Sequence, residues 1–189
     1  PDAKKTLPAK ANTQNWKTSF NTIQQRSIKL EEVNIFCISL KDATERRQSI
    51  ETLREQHGFH VYFIDAIDGR NMSRDALQQK TKIPIHWNGL DGHRDEITLT
   101  TEAACCLSHI KAWKTIIHYD LEHAIIIEDD VELQRLSSIN TPEIADFIYL
   151  SSRANFGSDR AAQGPLCGSE AYYLTSDCCK KLLRIYSTI

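Results

Sequence analysis

No two cysteines in this chain stand in a Cys-x-x-Cys spacing, although six are present, which removes zinc ribbons and thioredoxin-type redox centres as readings. Four of the six form the adjacent pairs Cys105-Cys106 and Cys178-Cys179. Both pairs fall within helical patterns, where free cysteine serves as a small apolar residue, and a reducing compartment is the simpler inference. Any uninterrupted apolar run approaching the roughly 20 residues of a membrane-crossing helix is also missing. The chain is therefore not read as an integral membrane protein. Its first residues are polar and basic, without the apolar centre of a secretory signal. A basic stripe with interleaved aromatics is absent as well, so no nucleic acid is expected among the partners. No internal repeat or low-complexity tract interrupts the sequence.

What is present is an ordinary globular composition, 41% hydrophobic and 25% charged over 189 residues. The net charge of -2 is unevenly distributed. Residues 1–30 hold Lys4, Lys5, Lys10, Lys17, Arg26 and Lys29 against Asp2 alone, which leaves the remainder acidic. The stretch reads as a basic, flexible N-terminal extension; the alternative use of such charge is peripheral contact with an anionic membrane surface. Residues 31–189 then form one domain.

Within that domain apolar runs alternate with helical periods. Residues 33–40 read as a strand, with Asp42 as the cap of a helix that carries Ile50 and Leu53 inward and stops near Gly58. Phe59 to Ile64 returns as a second strand, completing a βαβ unit. Residues 71–98, punctuated by Pro84, Gly89 and Gly92, are long for a bare connection and are expected to hold short helices or cover a site. From Thr101 to about Tyr119, the spacing of Ala103, Leu107, Ile110 and Ile117 predicts a helix with one buried face. Further strands are expected at Ala124–Ile127, at Phe147–Leu150 ahead of Ser151-Ser152-Arg153, and at Ala171–Leu174. The last follows Gly168 and hands over to a helix through Asp177. This alternation predicts an α/β domain with a mostly parallel central sheet flanked by helices.

The isoleucine run Ile125-Ile126-Ile127 breaks directly into Glu128-Asp129-Asp130. An all-apolar run of this kind suits a strand covered on both faces, and its carboxyl end is where open α/β sheets bind ligands. Residues two apart in an extended chain point the same way, so Glu128 and Asp130 should face one side together. Two carboxylates held close call for a hard divalent cation such as Mn2+ or Mg2+. The plainer alternative is that Asp130 caps a turn while its neighbours are solvated. On the helix beginning near Thr101, Glu102 and His109 lie nearly one above the other, with Cys106 and Trp113 on neighbouring turns. For His109 alone, a satisfied structural role is the commoner explanation. A receiver-domain reading of the acids would need a separate phospho-accepting Asp and a later Lys at a strand end; the late strand instead runs into Thr175-Ser176.

Taken together these segments resemble glycosyltransferase family 25, the lipopolysaccharide and lipooligosaccharide biosynthesis glycosyltransferases related to the collagen galactosyltransferases. Glu102, Cys105, Leu107, Ser108, His109 and Trp113 match the family pattern Glu-Ile-Gly-Cys-x-Leu-Ser-His-x-x-x-Trp in register, with Ala104 where Gly is usual. Ile38-Ser39-Leu40-Lys41-Asp42 with Arg46-Arg47 looks like its opening strand, and Ala66-Ile67-Asp68-Gly69-Arg70 is similar to its Ala-Val-Asp-Gly element. Ile126-Ile127-Glu128-Asp129-Asp130-Val131 resembles its apolar strand ending in Glu-Asp-Asp-Val. Gly168-Ser169-Glu170-Ala171-Tyr172-Tyr173-Leu174 is similar to its late Gly-Thr-x-Ala-Tyr strand. The likeness runs from about Val33 to Leu183, and family members are expected to continue beyond Ile189, so a C-terminal truncation is expected.

The resemblance implies a GT-A-type, Rossmann-like domain that moves a sugar, with galactose from UDP-galactose favoured, onto a lipopolysaccharide or lipooligosaccharide core saccharide with inversion. It implies Mn2+ or Mg2+ held by Asp130 with Glu128, assisted by Asp129, to stabilise the departing diphosphate. Arg46 or Arg47 is expected at phosphate, and Asp68 at ribose or base, a turn-forming Asp-Gly being the alternative. His109, Glu102 and Glu170 are the candidates for the general base that deprotonates the acceptor; Tyr172 is expected in the core with its hydroxyl at the rim. The partners implied are a nucleotide-sugar donor and a lipid-linked saccharide acceptor, which fits cytoplasmic residence at the inner face of a bacterial inner membrane. The competing class is a glycosyltransferase-like binding or adhesion module without turnover.

Overall fold

Ile125 and Ile127 point into one apolar layer while Ala124 and Ile126 point into another, so the central strand is sealed on both faces as its composition requires. A computed structural model describes residues 25–81, 83–85, 87, 95–131, 138–143, 145–150 and 170–186. The elements are β1 (Gln25–Lys29), a 3-10 turn (Leu30–Glu32), β2 (Asn34–Ser39), α1 (Thr44–His57), β3 (His60–Asp65), α2 (Arg74–Thr81), α3 (Glu96–His118), β4 (His123–Glu128), β5 (Ser138–Pro142), β6 (Phe147–Tyr149), β7 (Ala171–Thr175) and α4 (Ser176–Ile185). Gly89, Gly92, Ser151-Ser152-Arg153, Cys167, Gly168, Ser169 and the basic positions before Gln25 lie outside the described residues.

Five strands form the main sheet in the order β3-β2-β4-β7-β6. β2 runs parallel to both β3 and β4, whereas β7 is antiparallel to β4 and to β6. The sheet is therefore mixed, and the expectation of a mostly parallel one is corrected. The reason is physical: burial on both faces gives a strand its continuous apolar run, and burial carries no information about direction. β7 has four consecutive buried residues, as β4 does. The arrangement remains compatible with a Rossmann-like domain. Separately, β1 pairs antiparallel with β5, and Ile28 of β1 is buried. That strand falls inside the basic stretch 1–30.

Helices cover both faces. α3 and α4 pack on one through Leu107, Ile110, Trp113, Ile116, Cys178 and Cys179. On the other, Ile50 of α1 joins Val33, Ile35, Val61, Ile125 and Ile127. Gly58 ends α1 in the left-handed conformation (φ 70°), its amide donating to the Arg54 carbonyl, as such a helix stop predicts. Asp42 is not the cap of α1. Ala43 holds that position without a side-chain bond, Thr44 N donates to the Asp42 carbonyl, and the Asp42 carboxylate lies 3.7 Å from Arg70. α3 begins at Glu96 rather than Thr101 because Asp95 accepts from Thr98 N at 2.7 Å. α2 occupies part of the long connection, as its length required. Among the described residues no helix is long and apolar enough to cross a membrane.

Candidate active site

Strands β2, β3 and β4 all end at one rim of the sheet, and β7, running the other way, begins there. Glu128 N donates to the Glu170 carbonyl at 2.8 Å, and Leu150 N to the Ala171 carbonyl at 2.9 Å. Topology thus gathers Ser39, Asp65, Glu128, Asp129, Asp130 and Glu170 from distant parts of the chain. The antiparallel β7 is what brings Glu170 to the acids.

The strand alternation of β4 persists into the triplet. Glu128 turns toward α3, where its Oε1 lies 3.2 Å from His109 Nε2. Asp129 turns to the opposite face, accepting from Ser39 Oγ at 2.7 Å and from Arg46 Nη1 at 2.9 Å. Asp130 sits exposed in the turn that follows. The three carboxylates therefore serve three different surroundings. Their joint field reaches the neighbouring strand: burial first, then the Asp129 charge, push the Cys37 thiol up to about 12.

The paired arginines of α1 divide in role. Arg47 donates to the carbonyls of Ser39 (2.9 Å) and Leu40 (3.1 Å) and to Asp65 Oδ1 (2.7 Å), and its guanidinium lies over the Phe63 ring at 4.8 Å. It ties the ends of β2 and β3 to α1. Arg46 is 61% exposed and reaches Asp129, whose side chain is only 9% exposed. A buried carboxylate thus aims an open guanidinium over the rim.

Behind Glu128 lies a buried relay. Trp113 Nε1 donates to Tyr172 Oη at 3.0 Å, and Tyr172 Oη lies 2.8 Å from His109 Nδ1. With a proton on His109 Nε2, every donor finds one acceptor: indole to phenol, phenol to Nδ1, Nε2 to Glu128. Tyr172, Trp113 and His109 are 2%, 3% and 5% exposed. The Tyr172 hydroxyl is thus internal, not at the rim as expected, because the indole and imidazole of α3 draw it inward. His109 is buried with a partner on each ring nitrogen. Trp113, His109 and Tyr172 are all family positions in the sequence; that the Tyr172 hydroxyl joins the other two is not legible there, since its bonds span 59 and 63 positions.

The segment after β3 is clamped to α3. Ile67 N donates to Ser108 Oγ at 2.9 Å, and Lys111 Nζ to the Asp65 carbonyl at 2.8 Å. A Cβ on Gly69 would lie 2.3 Å from the Thr100 carbonyl oxygen and 2.9 Å from Ala104 Cβ, so only glycine allows this approach. Asp68 accepts from the Arg70 amide at 3.0 Å and from its guanidinium at 2.9 and 2.7 Å. The Arg70 side chain, then its amide, hold the Asp68 carboxyl down at about 2. Asp68 is consequently engaged in the turn its Asp-Gly signal anticipated. Glu102 is half-buried on α3, about two turns before His109, and Glu170 is half-buried at the rim.

For a cation, two donor sets come into question. Glu128 and Asp130 supply carboxylate oxygens at the rim, the chemistry Mn2+ and Mg2+ prefer when phosphate oxygens and water complete the shell. Cys105, His109 and Glu128 place one sulfur, one nitrogen and one oxygen within 4.8 Å of one another, a mixed set unsuited to those ions. A groove of about 1030 Å³ opens elsewhere, between edge strand β3 and α3, with Phe36, Lys114 and His118 among its walls. It shares Lys111 with the rim region and contains none of the acids.

In open α/β sheets ligands bind at the rim where parallel strands end, and in this domain that rim carries the massed carboxylates. Comparison with known proteins defines it further: the chain belongs to glycosyltransferase family 25 (LPS biosynthesis protein), whose profile matches residues 32–164. It is 33% identical over 107 residues to a glycosyltransferase 25 family member of Drosophila pseudoobscura pseudoobscura, covering 54% of this chain and 16% of that protein. To procollagen galactosyltransferase 2 of Mus musculus it is 36% identical over 107 residues, or 53% and 16% of the two chains. It is also 28% identical over 103 residues to the mouse inactive glycosyltransferase 25 family member 3, covering 53% and 17%. The chain spans about a sixth of the length of these relatives.

Proposed function

We propose that this chain is a metal-dependent, inverting hexosyltransferase whose rim binds a nucleotide diphospho-sugar, with UDP-galactose the favoured donor. The observation that carries the reading is the placement of Glu128, Asp130 and the open Arg46 at one strand-end rim within the family-matched segment. Asp130 and Glu128 would hold Mn2+ or Mg2+, which as a Lewis acid supplies charge to the departing diphosphate. Arg46, aimed by Asp129, would meet a phosphate oxygen. Arg47 and the Asp68–Arg70 pair shape the rim from beneath. Asp68 can reach a ribose hydroxyl only by sharing its bonds to Arg70.

An acceptor hydroxyl attacking the anomeric carbon must lose its proton to a base at the reacting face. Glu170 is favoured, since it stands at the rim beside Glu128. His109 is buried with both ring nitrogens occupied, and Glu102 lies on the flank of α3; His109 is read as orienting Glu128. A lipopolysaccharide or lipooligosaccharide core sugar remains the favoured acceptor, with the family's description in its support, while the mouse relative's name makes procollagen the contrasting one to assay. A lipid-linked acceptor would bring the chain to the inner face of a bacterial inner membrane.

The decisive assay measures UDP release from a panel of nucleotide sugars with and without Mn2+. Asp130→Ala, at an exposed turn position, should abolish metal-dependent release while leaving the circular dichroism spectrum unchanged; undiminished turnover would remove the metal assignment. The second reading is a glycosyltransferase-like binding module. It draws on the likeness to an inactive family member and on the engagement of Asp129 by Arg46. Donor binding without release from any nucleotide sugar would establish it.

A further inference from the structure

We propose that Cys105, His109 and Glu128 form a zinc-binding site whose occupation inhibits the transfer reaction; the inhibition rests on the function proposed above, whereas the binding does not. Cys105 and His109 are four residues apart on α3 and so share one face one turn apart. Glu128 meets that face from the end of β4. The sulfur, ring nitrogen and carboxylate oxygen all lie within 4.8 Å of one another. Tetrahedral zinc with bonds of about 2.0–2.3 Å places its ligand atoms roughly 3.3–3.8 Å apart, so a movement of about 1 Å closes the set. Cys105 is exposed while His109 is buried, which gives the ion a route from solvent and a fixed back wall. Three protein ligands leave a fourth position for water.

The donor set selects the metal. Thiolate and imidazole favour Zn2+ over Mn2+ or Mg2+, which take oxygen. The surroundings complete a second shell, because Tyr172 already meets His109 Nδ1 and is itself held by Trp113. On coordination the Cys105 thiol gives its proton to solvent. The His109 proton moves from Nε2 to Nδ1, where Tyr172 Oη accepts it on the lone pair that Trp113 leaves open; the phenol proton turns away and gives up its bond to Nδ1, a cost set against the zinc–ligand bonds. Glu128 then belongs to zinc, and the hard cation loses one of its two carboxylates. Zinc and manganese become competitors through a single shared side chain.

Cobalt(II) is the spectroscopic probe. Titrated into the purified chain, it should bind one equivalent with a thiolate-to-cobalt charge-transfer band that Zn2+ bleaches. Cys105→Ser should lose the band and bind Zn2+ at least tenfold more weakly; Cys106→Ser and Asp130→Ala should both retain it. Absence of the band, or equal Zn2+ affinity in wild type and Cys105→Ser, overturns the site. In the UDP-release assay Zn2+ should inhibit the wild type and inhibit Cys105→Ser at least tenfold less potently; equal inhibition overturns the regulatory half. A cobalt band in a chain that turns over no nucleotide sugar would defeat the transferase reading and leave the site standing, and turnover without the band would do the reverse.

Discussion

Tyr172 shows how much one hydroxyl can organise. It accepts from Trp113 and donates to His109, which in turn meets Glu128. Tyr172→Phe keeps the ring and leaves a buried indole N–H and imidazole nitrogen without partners, and an unsatisfied buried polar group costs about 1–3 kcal/mol. Urea denaturation should report a loss of that size, and in the active chain kcat should fall with the donor KM little changed, because His109 is no longer fixed in the tautomer that presents Nε2–H to Glu128. Asp68 offers a second test. Its folded value of about 2 lies below the ordinary carboxyl value of 3.8, so its ionised form stabilises the fold above about pH 4, and that contribution is lost as pH falls toward 2. Arg70→Ala removes the leading cause of the shift. Carboxyl NMR should then show the Asp68 midpoint returning toward its ordinary value; an unmoved midpoint would refute the pairing.

Among the elements, α3 carries the site more than any strand does. It presents His109 to Glu128, fixes the end of β3 through Lys111 and the 66–70 segment through Ser108, and leaves room for Gly69. Two glycine substitutions separate the physics involved. Gly69→Ala drives a methyl into the Thr100 carbonyl, and overpacking of this kind costs about 1–3 kcal/mol. Gly58→Ala meets open space but at φ 70°, where the left-handed penalty is about 1–2 kcal/mol. Both should lower the melting temperature. Only Gly69→Ala should also weaken donor binding, because it alone displaces the segment beside the rim; equal donor affinity in the two variants would contradict this.

At the scale of the molecule, β2 and β4 lie between two apolar layers, while β3 and β6 are the edges of the main sheet. Amide exchange should be slowest at Ile126 and Ile127 and faster in the β1–β5 pair, which is a separate two-stranded sheet with both strands at an edge. The elements themselves were largely legible: β2, α1, β3, β4, β7 and α4 fall where apolar period and turn residues put them, and Gly58 stops its helix as predicted. Direction was not legible, since β7 shows the same buried run whichever way it travels. The pairing of β1 with β5 escaped too, because a five-residue strand in which Ile28 is the one buried side chain among those described carries little signal beside a basic stretch.

By itself the sequence determined that Glu128, Asp129 and Asp130 end a buried strand, that Glu102 and His109 share a helix, and that the chain carries the family's motifs. These are local consequences of composition and period, which act over a few residues. Only the tertiary structure decided that Glu128 meets His109 while Asp129 meets Ser39 and Arg46, that Arg46 is aimed by Asp129 while Arg47 is a clamp, and that Glu170 arrives at the rim on a reversed strand. The Arg46–Asp129 pair spans 83 positions and the Arg47–Asp65 pair 18, and Glu170 meets Glu128 across two antiparallel strands; such contacts are fixed by how layers pack, and no local pattern encodes them.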